Sequence, residues 1–294
     1  MIIWLASYPK SGNTYLRAFL SAYYYSKDGN FDFSQIANIK QFPDKKFFNK
    51  KIESAIEASR QWMPVQKKIV QDKKIKFFKT HSCLGDYKGN VFTSYETSLG
   101  AVYIVRDPRN VFTSVRNHFG YNNDQALKML LDKQSYLMAS DGGGFASYSF
   151  ISSWAKNYLS WLRYNNFRRI FIRYEDLLEN KYETFRDIIV FINTLANRTE
   201  GVDKLKLQNA IETTNFDVLK KKEIDEAMGG SDLGFKNWRN FHKENKKFFF
   251  NLGPENKWEK ILDVNIKKKI EDNFKEEMKA LKYIWEIKQV YSSN

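Results

Sequence analysis

The residues best equipped for chemistry in this chain sit in four short polar runs, each directly after an apolar one. The first, Tyr8-Pro-Lys-Ser-Gly-Asn-Thr14, is composed to hold a phosphate. Lys10 brings a point charge, Ser11, Asn13 and Thr14 bring side-chain donors, and Gly12 lets backbone N–H groups approach an anion at the positive end of a following helix. It is not the common nucleotide loop, because the lysine precedes the glycine and Gly-x-x-x-x-Gly-Lys-Ser/Thr is absent. Lys79-Thr80-His81 is the second run, and a histidine that titrates near neutrality suits a general base. The third begins at Arg106-Asp107 and continues through Arg109 and Arg116, a cluster in a chain with 12 Arg among its 48 basic residues. Guanidinium groups match phosphate bidentately, although an ion pair between Arg106 and Asp107 at a helix start is the plainer alternative. For Arg109, Arg116 and His118, surface or packing roles are at least as natural. Tyr174-Glu175-Asp176 is the fourth run. Read alone, the opening loop is an ordinary turn; four polar runs in equivalent places point to anion recognition joined to proton transfer.

Bringing these runs together requires a sheet. Residues 2–6, 75–78, 101–105 and 170–173 are short apolar stretches suited to buried parallel strands. Helical patterns fall between them at 14–25, 51–66, 110–118 (with Asn110 as its cap), 124–138 and 154–164. Others follow at 185–195, after 213–216 as a short helix ending in Lys220-Lys221-Lys222, and at 264–283, where Ile266, Ile270, Phe274, Met278 and Leu281 recur at helical intervals. Residues 31–50 read as an irregular connection or lid, Gly142 to Gly144 as a mobile loop, and 229–247 as a long loop. The alternation predicts one α/β domain over 1–294, with a central parallel sheet flanked by helices. In such sheets ligands gather beyond the carboxyl ends of the strands, where all four polar runs lie.

Composition narrows the classes. With 294 residues, 43% of them hydrophobic, the chain can bury a large core. A formal charge of +14 implies an anionic partner without choosing among nucleotide, nucleic acid, acidic glycan and membrane surface. Cys83 is the single cysteine, so a disulfide framework and a cysteine metal site are excluded and a reducing, cytoplasmic setting is expected. Three histidines argue against a His-rich metal centre. The start does not read as a signal peptide, and no window approaches the ~20 apolar residues of a membrane span.

The order of these runs resembles the soluble, cytosolic and bacterial type of sulfotransferase, whose members move a sulfuryl group from 3′-phosphoadenosine 5′-phosphosulfate (PAPS) to a hydroxyl or amine. Tyr8 to Tyr15 is similar to the family's 5′-phosphosulfate loop, usually Tyr-Pro-Lys-Ser-Gly-Thr-Thr-Trp. Lys79-Thr80-His81 resembles its Lys-Thr-His motif, and Arg106 to Ser114, followed by His118-Phe119, resembles its 3′-phosphate motif. Tyr174-Glu-Asp and Thr214-Asn-Phe216 resemble the segments that enclose adenine. The matches keep family order over nearly the whole chain. The resemblance implies a P-loop-nucleotide-hydrolase-like three-layer fold, PAPS as co-substrate, and no metal. It implies His81, Lys10 and Lys79 as catalytic residues. Lys10, Ser11, Gly12, Asn13, Thr14, Tyr15, Arg106, Ser114, Tyr174, Phe216 and Gly253 are implied as donor contacts. Lys10 would neutralise charge on the leaving 5′-phosphate and His81 would take the acceptor's proton, while Arg106 and Ser114 would hold the 3′-phosphate.

One motif departs from the pattern. The family's late Arg-Lys-Gly-x-x-Gly-x-Trp is best matched by Asn251-Leu252-Gly253-Pro-Glu-Asn256-Lys257-Trp258, which lacks both cations unless Lys243, Lys246 or Lys247 substitutes. A rival match is Gly234-Phe-Lys-Asn-Trp238-Arg239. Residues 82–99 and 119–150, with Tyr121, Phe145, Tyr148 and Phe150, are expected to wall the acceptor pocket. The acceptor is expected to be a hydroxyl-bearing small molecule, lipid or glycan, with no nucleic-acid partner. Two other functions fit parts of the pattern. A P-loop-type kinase or nucleotide hydrolase would share the architecture, but only Asp107 approximates its magnesium-binding acid. A non-catalytic nucleic-acid or acidic-glycan binder would use the charge, with 220–247 as its basic region.

Overall fold

The structure is a computed structural model that describes residues 1–49, 51–138, 144–229, 250 and 253–284. Its strands are β1 (Ile2–Ser7), β2 (Lys40–Gln41), β3 (Lys76–Thr80), β4 (Asp86–Tyr87), β5 (Asn90–Val91), β6 (Ser98–Val105), β7 (Tyr136–Leu137), β8 (Ser149–Phe150) and β9 (Arg168–Arg173). Five of them form a parallel sheet in the order β2-β3-β1-β6-β9; β4-β5 and β7-β8 are two-stranded ribbons. All six residues of β1 are buried, as its place at the centre demands, and its side chains divide by parity between two cores. Ile2, Trp4 and Ala6 join Phe78, Ala101 and Tyr103 on one face. Ile3 and Leu5 join Phe77, Val102 and Ile104 on the other. Trp4 Nε1 donates to Ser98 Oγ at 2.8 Å, which satisfies the one polar atom this ring takes into the core.

Helices cover both faces. They are α1 (Asn13–Tyr25), α2 (Ala55–Ile69), α3 (Pro108–Phe119), α4 (Asn123–Leu131), α5 (Trp154–Arg163), α6 (Tyr174–Glu179), α7 (Lys181–Leu195), α8 (Lys204–Thr213) and α9 (Phe216–Gly229). The last three are α10 (Trp258–Ile261), α11 (Val264–Asn273) and α12 (Lys275–Ala280). The four expected strands are present, and the α/β class holds.

Several elements differ from the sequence reading. The connection over 31–50 contributes an edge strand, β2, two residues long and too short to leave a hydrophobic run. The helix expected over 124–138 ends at Leu131: Asp132 is extended, its carboxylate accepts from Gln134 N–H at 2.8 Å, and the chain turns into the β7-β8 ribbon. Asp107, not Asn110, caps α3, accepting from Arg109 N–H at 2.8 Å with Pro108 in the first helical position. The helix expected after 216 runs on to 229, and α6 and α8 are additions. The terminal helix is two helices, because Phe274 leaves helical geometry (φ −121°, ψ 22°) while its ring docks 5.0 Å from Trp154. Gly142 and Gly143, most of the long loop over 229–247, Asn251 and Leu252 lie outside the described residues, as do Gly234 to Arg239.

Candidate active site

Three polar runs leave the adjacent strands β3, β1 and β6 at their carboxyl ends, and the fourth leaves β9 beside them. In the first, Lys10 has φ +65° and Gly12 has φ +99°, so the chain makes a left-handed crook before α1 begins. Gly12 is required twice over. Its φ favours glycine, and a Cβ there would stand 2.4 Å from Tyr174 Cδ2. The first N–H groups of α1, before Tyr15 bonds back to the Gly12 carbonyl at 3.0 Å, have no acceptors within the helix, and the Ser11 hydroxyl is buried with no partner among the described residues. These are fitting surroundings for an anion. Asn13 does not face it: its amide donates inward, to the Leu5 carbonyl at 2.9 Å and to Ser7 Oγ at 3.2 Å. Tyr15 packs edge-on to Phe185 at 5.3 Å. Burial, and secondarily Tyr174, raise the pKa of its hydroxyl, which has no partner among the described residues.

Arg106, at the end of β6, is the hub. It is 7% exposed, and its guanidinium carbon stands 4.2 Å from the Tyr174 ring centroid. Nη1 donates to the Lys10 carbonyl at 3.3 Å and Nη2 reaches the Gly253 carbonyl at 3.5 Å, a weak contact. Nε has no partner among the described residues, and none of their carboxylates pairs with this side chain. The expected alternative, a pair with Asp107, is taken instead by Arg109. That guanidinium meets Asp107 at 2.6 Å and Glu271 at 2.5 Å, donates to the Tyr283 carbonyl at 2.9 Å, and covers the Trp258 ring at 3.9 Å. Arg109 is therefore structural, while Arg106 forms no ion pair within 4 Å among the described residues and acts on Glu175 only at longer range.

The late segment comes to Arg106 through Gly253, whose φ is +51° and whose Cβ position lies 2.2 Å from Phe216 Cε2. It is latched to α3: Thr113 Oγ1 donates to Asn256 Oδ1 at 2.8 Å, Asn256 Nδ2 to the Asn110 carbonyl at 2.9 Å, and Trp258 N–H to Asn110 Oδ1 at 3.1 Å. Tyr174, Phe216 and Gly253 thus meet around Arg106, with the Tyr174 ring pressed between Gly12 and the guanidinium. Ser114 and Thr14 are half-buried nearby in sequence to Thr113 and Asn13.

Cations crowd the other side of Lys10. Burial, then Arg106, lower the Lys10 pKa to about 7, with Glu223 opposing them. Lys79 is likewise lowered to about 7 by burial, Arg17 and Lys10, and its Nζ donates to Gln41 Oε1 at 3.2 Å. His81 is held well below the ordinary histidine pKa by burial first, then by Lys79 and Lys10 against a supporting bond from Ser7. Its Nδ1 lies 2.9 Å from the Ser7 carbonyl, which only accepts, so Nδ1 carries the hydrogen and Nε2 has a lone pair. Lys79 and His81 do share one side of the strand end, as their spacing predicts.

Of the aromatics expected to wall an acceptor pocket, Tyr148, Phe150 and Phe145 gather with Tyr87, at ring separations of 5.0 to 6.4 Å. Phe150 is tied to the segment after His81 by a bond from Cys83 N–H to its carbonyl at 2.7 Å. Tyr121 stays apart, stacked on Phe119. Sequence reasoning missed Ser7, Glu223, the Asn110-Thr113-Asn256 latch, and Asn157, which donates to the His81 carbonyl at 3.0 Å. The three latch residues carried a signal as members of the two phosphate motifs, Asn110 and Thr113 in the one from Arg106 to Ser114 and Asn256 in the late one; Ser7, Glu223 and Asn157 carried none. Among the described residues no cluster of three or more His, Cys, Asp or Glu could hold a metal ion, and no helix is long and apolar enough to cross a membrane.

A parallel α/β sheet with a cation-lined, glycine-shaped anion crook and a neutral histidine beside it defines a group-transfer site for an anionic donor. The sulfotransferase domain model matches residues 2–282, and the chain belongs to that family. This separates it from the kinases, hydrolases and non-catalytic binders that share parts of the pattern. No curated protein sequence matches it. Among solved structures it is similar to retinol dehydratase in complex with androsterone and the inactive cofactor PAP, at 16% identity and TM-score 0.56, covering 95% of this chain and 80% of that one. It is also similar to mouse sulfotransferase SULT7A1 complexed with PAP, at 15% identity and TM-score 0.54, covering 96% and 84%. At such identities the likeness is one of fold.

Proposed function

We propose that this chain transfers a sulfuryl group from PAPS to the hydroxyl, or amine, of an acceptor, with residues 1–294 acting as a single catalytic domain. The observation that carries the reading is the convergence of the Lys10 crook, the Arg106 guanidinium bonded to its carbonyl, and a histidine whose Nδ1 is taken by the Ser7 carbonyl. The donor supplies the sulfuryl group and a phosphate able to leave without metal help. Lys10 sits where charge would grow on the bridging oxygen as the sulfur–oxygen bond lengthens, and the loop N–H groups hold the same phosphate. Arg106, with Ser114, takes the 3′-phosphate at the far end. His81 Nε2 accepts the proton from the acceptor as its oxygen bonds to sulfur, and the Ser7 carbonyl steadies the imidazolium that results. Lys79 keeps the surroundings of that base cationic. The cluster of Tyr87, Tyr148 and Phe150 would give the acceptor side an apolar wall.

The test is turnover of labelled PAPS over an acceptor panel, together with calorimetry of PAP. Lys10→Ala and His81→Ala are expected to lose at least about 10²-fold in turnover, whereas Arg106→Ala should chiefly weaken PAP. Wild-type turnover in both of the first two variants would remove the mechanism.

A further inference from the structure

His81 is held by Ser7, and Ser7 is held in turn. The ring nitrogen Nδ1 lies 2.9 Å from the Ser7 carbonyl and 3.3 Å from the Ser7 hydroxyl. Ser7 ends β1 at 1% exposure, and its hydroxyl oxygen accepts from Asn13 Nδ2 at 3.2 Å. The same amide nitrogen donates to the Leu5 carbonyl at 2.9 Å. That second bond fixes which way the amide points, since the flipped side chain would set oxygen against oxygen. Asn13 is 3% exposed in the first turn of α1, directly after Gly12. An amide at the mouth of an anion crook is thus committed to the strand behind it. Without that amide, the Ser7 hydroxyl could turn and donate to Nδ1, which would move the ring proton to Nε2 and leave no lone pair there.

We propose that Asn13 and Ser7 are positioning residues for His81, holding the imidazole as the Nδ1–H tautomer and tying its aim to the first turn of α1. This rests on the reading of His81 as the base. The charged groups facing the ring are Lys79 from its own strand and Lys10 from the crook.

Imidazole nitrogen NMR separates this role from a general structural one. The spectra compare wild type, Asn13→Ala and Ser7→Ala, with His81→Ala assigning its signals among the three histidines. In wild type, Nε2 of His81 should resonate as an unprotonated nitrogen; in Asn13→Ala the two nitrogens should move toward averaged tautomers, whereas Ser7→Ala, which keeps the carbonyl and lacks the hydroxyl, should leave Nε2 unprotonated. Turnover should fall about 10-fold in Asn13→Ala, with PAP affinity changing less than turnover. Unchanged His81 signals in folded Asn13→Ala, or averaged ones in Ser7→Ala, would overturn the proposal, as would a loss of PAP affinity that accounts for the whole loss of turnover. If Asn13→Ala fails to fold, Asn13→Ser, which also removes the amide, carries the same test. Wild-type turnover in His81→Ala would strike down the base assignment instead, while the tautomer signals would still judge the positioning.

Discussion

Titration is the clearest residue-scale handle on the site. His81 has a lowered pKa in the folded chain, so between that value and the ~6.5 of an unfolded histidine the unfolded state holds more protons. Its contribution to stability is therefore whole above about pH 6.5 and is lost as pH falls through the folded value. Urea unfolding from pH 8 to pH 5 should show a decline that His81→Ala flattens; parallel curves would contradict it. The two lysines make a different prediction. Lys10 and Lys79, both near 7, are partly deprotonated in mildly alkaline buffer, and an arriving bisphosphate recharges them. PAP binding at pH 8 should take up protons, read as a dependence of the calorimetric enthalpy on buffer ionisation; no dependence would mean that the cations are already charged. At this scale the sequence was informative on Gly12, whose positive φ and close approach to Tyr174 only glycine allows. It was silent on Asn13, because an amide can donate toward solvent or toward the strand behind it, and only packing decides.

Elements carry the site through a few buried clamps. Arg109 joins the start of α3, α11 and the segment at Tyr283, and Tyr283 Oη donates to Glu175 Oε2 at 2.9 Å, which in turn accepts from Asp107 N–H at 3.1 Å through Oε1. Arg109→Ala leaves Asp107 buried without its partner, and a destabilisation of about 3–5 kcal/mol is expected from urea unfolding. Arg106→Ala, one turn away, should cost far less stability. Equal losses in the two variants would show that the division of labour between these arginines is misread. The boundary between them was not legible from sequence, since both follow the same strand and flank the same acid. Helix boundaries failed for a similar reason. The apolar period through Ile266, Ile270, Phe274 and Met278 continues across the break, because Phe274 is buried whether the helix bends or not. Edge strand β2 left no pattern because two residues cannot show alternation.

At the scale of the whole molecule, the sheet was legible because parallel strands buried on both faces must be apolar throughout, and the polar residues at their ends then mark one crevice. Net charge was less informative: +14 names the sign of a partner and little more. It does predict kinetics. Exposed lysines steer an anionic nucleotide, so raising ionic strength from about 0.02 to 0.5 M should slow PAP association while leaving its dissociation nearly unchanged. A salt effect confined to dissociation would place the useful charge inside the crevice alone. The Tyr174 ring has a larger consequence. Pressed between Gly12 and Arg106, it is a shared wall for the two ends of the proposed donor site. In that proposed site the ring would fix the distance between the 5′ and 3′ anion positions, so a nucleotide would be sorted by the span between its charges before its sulfur meets an acceptor.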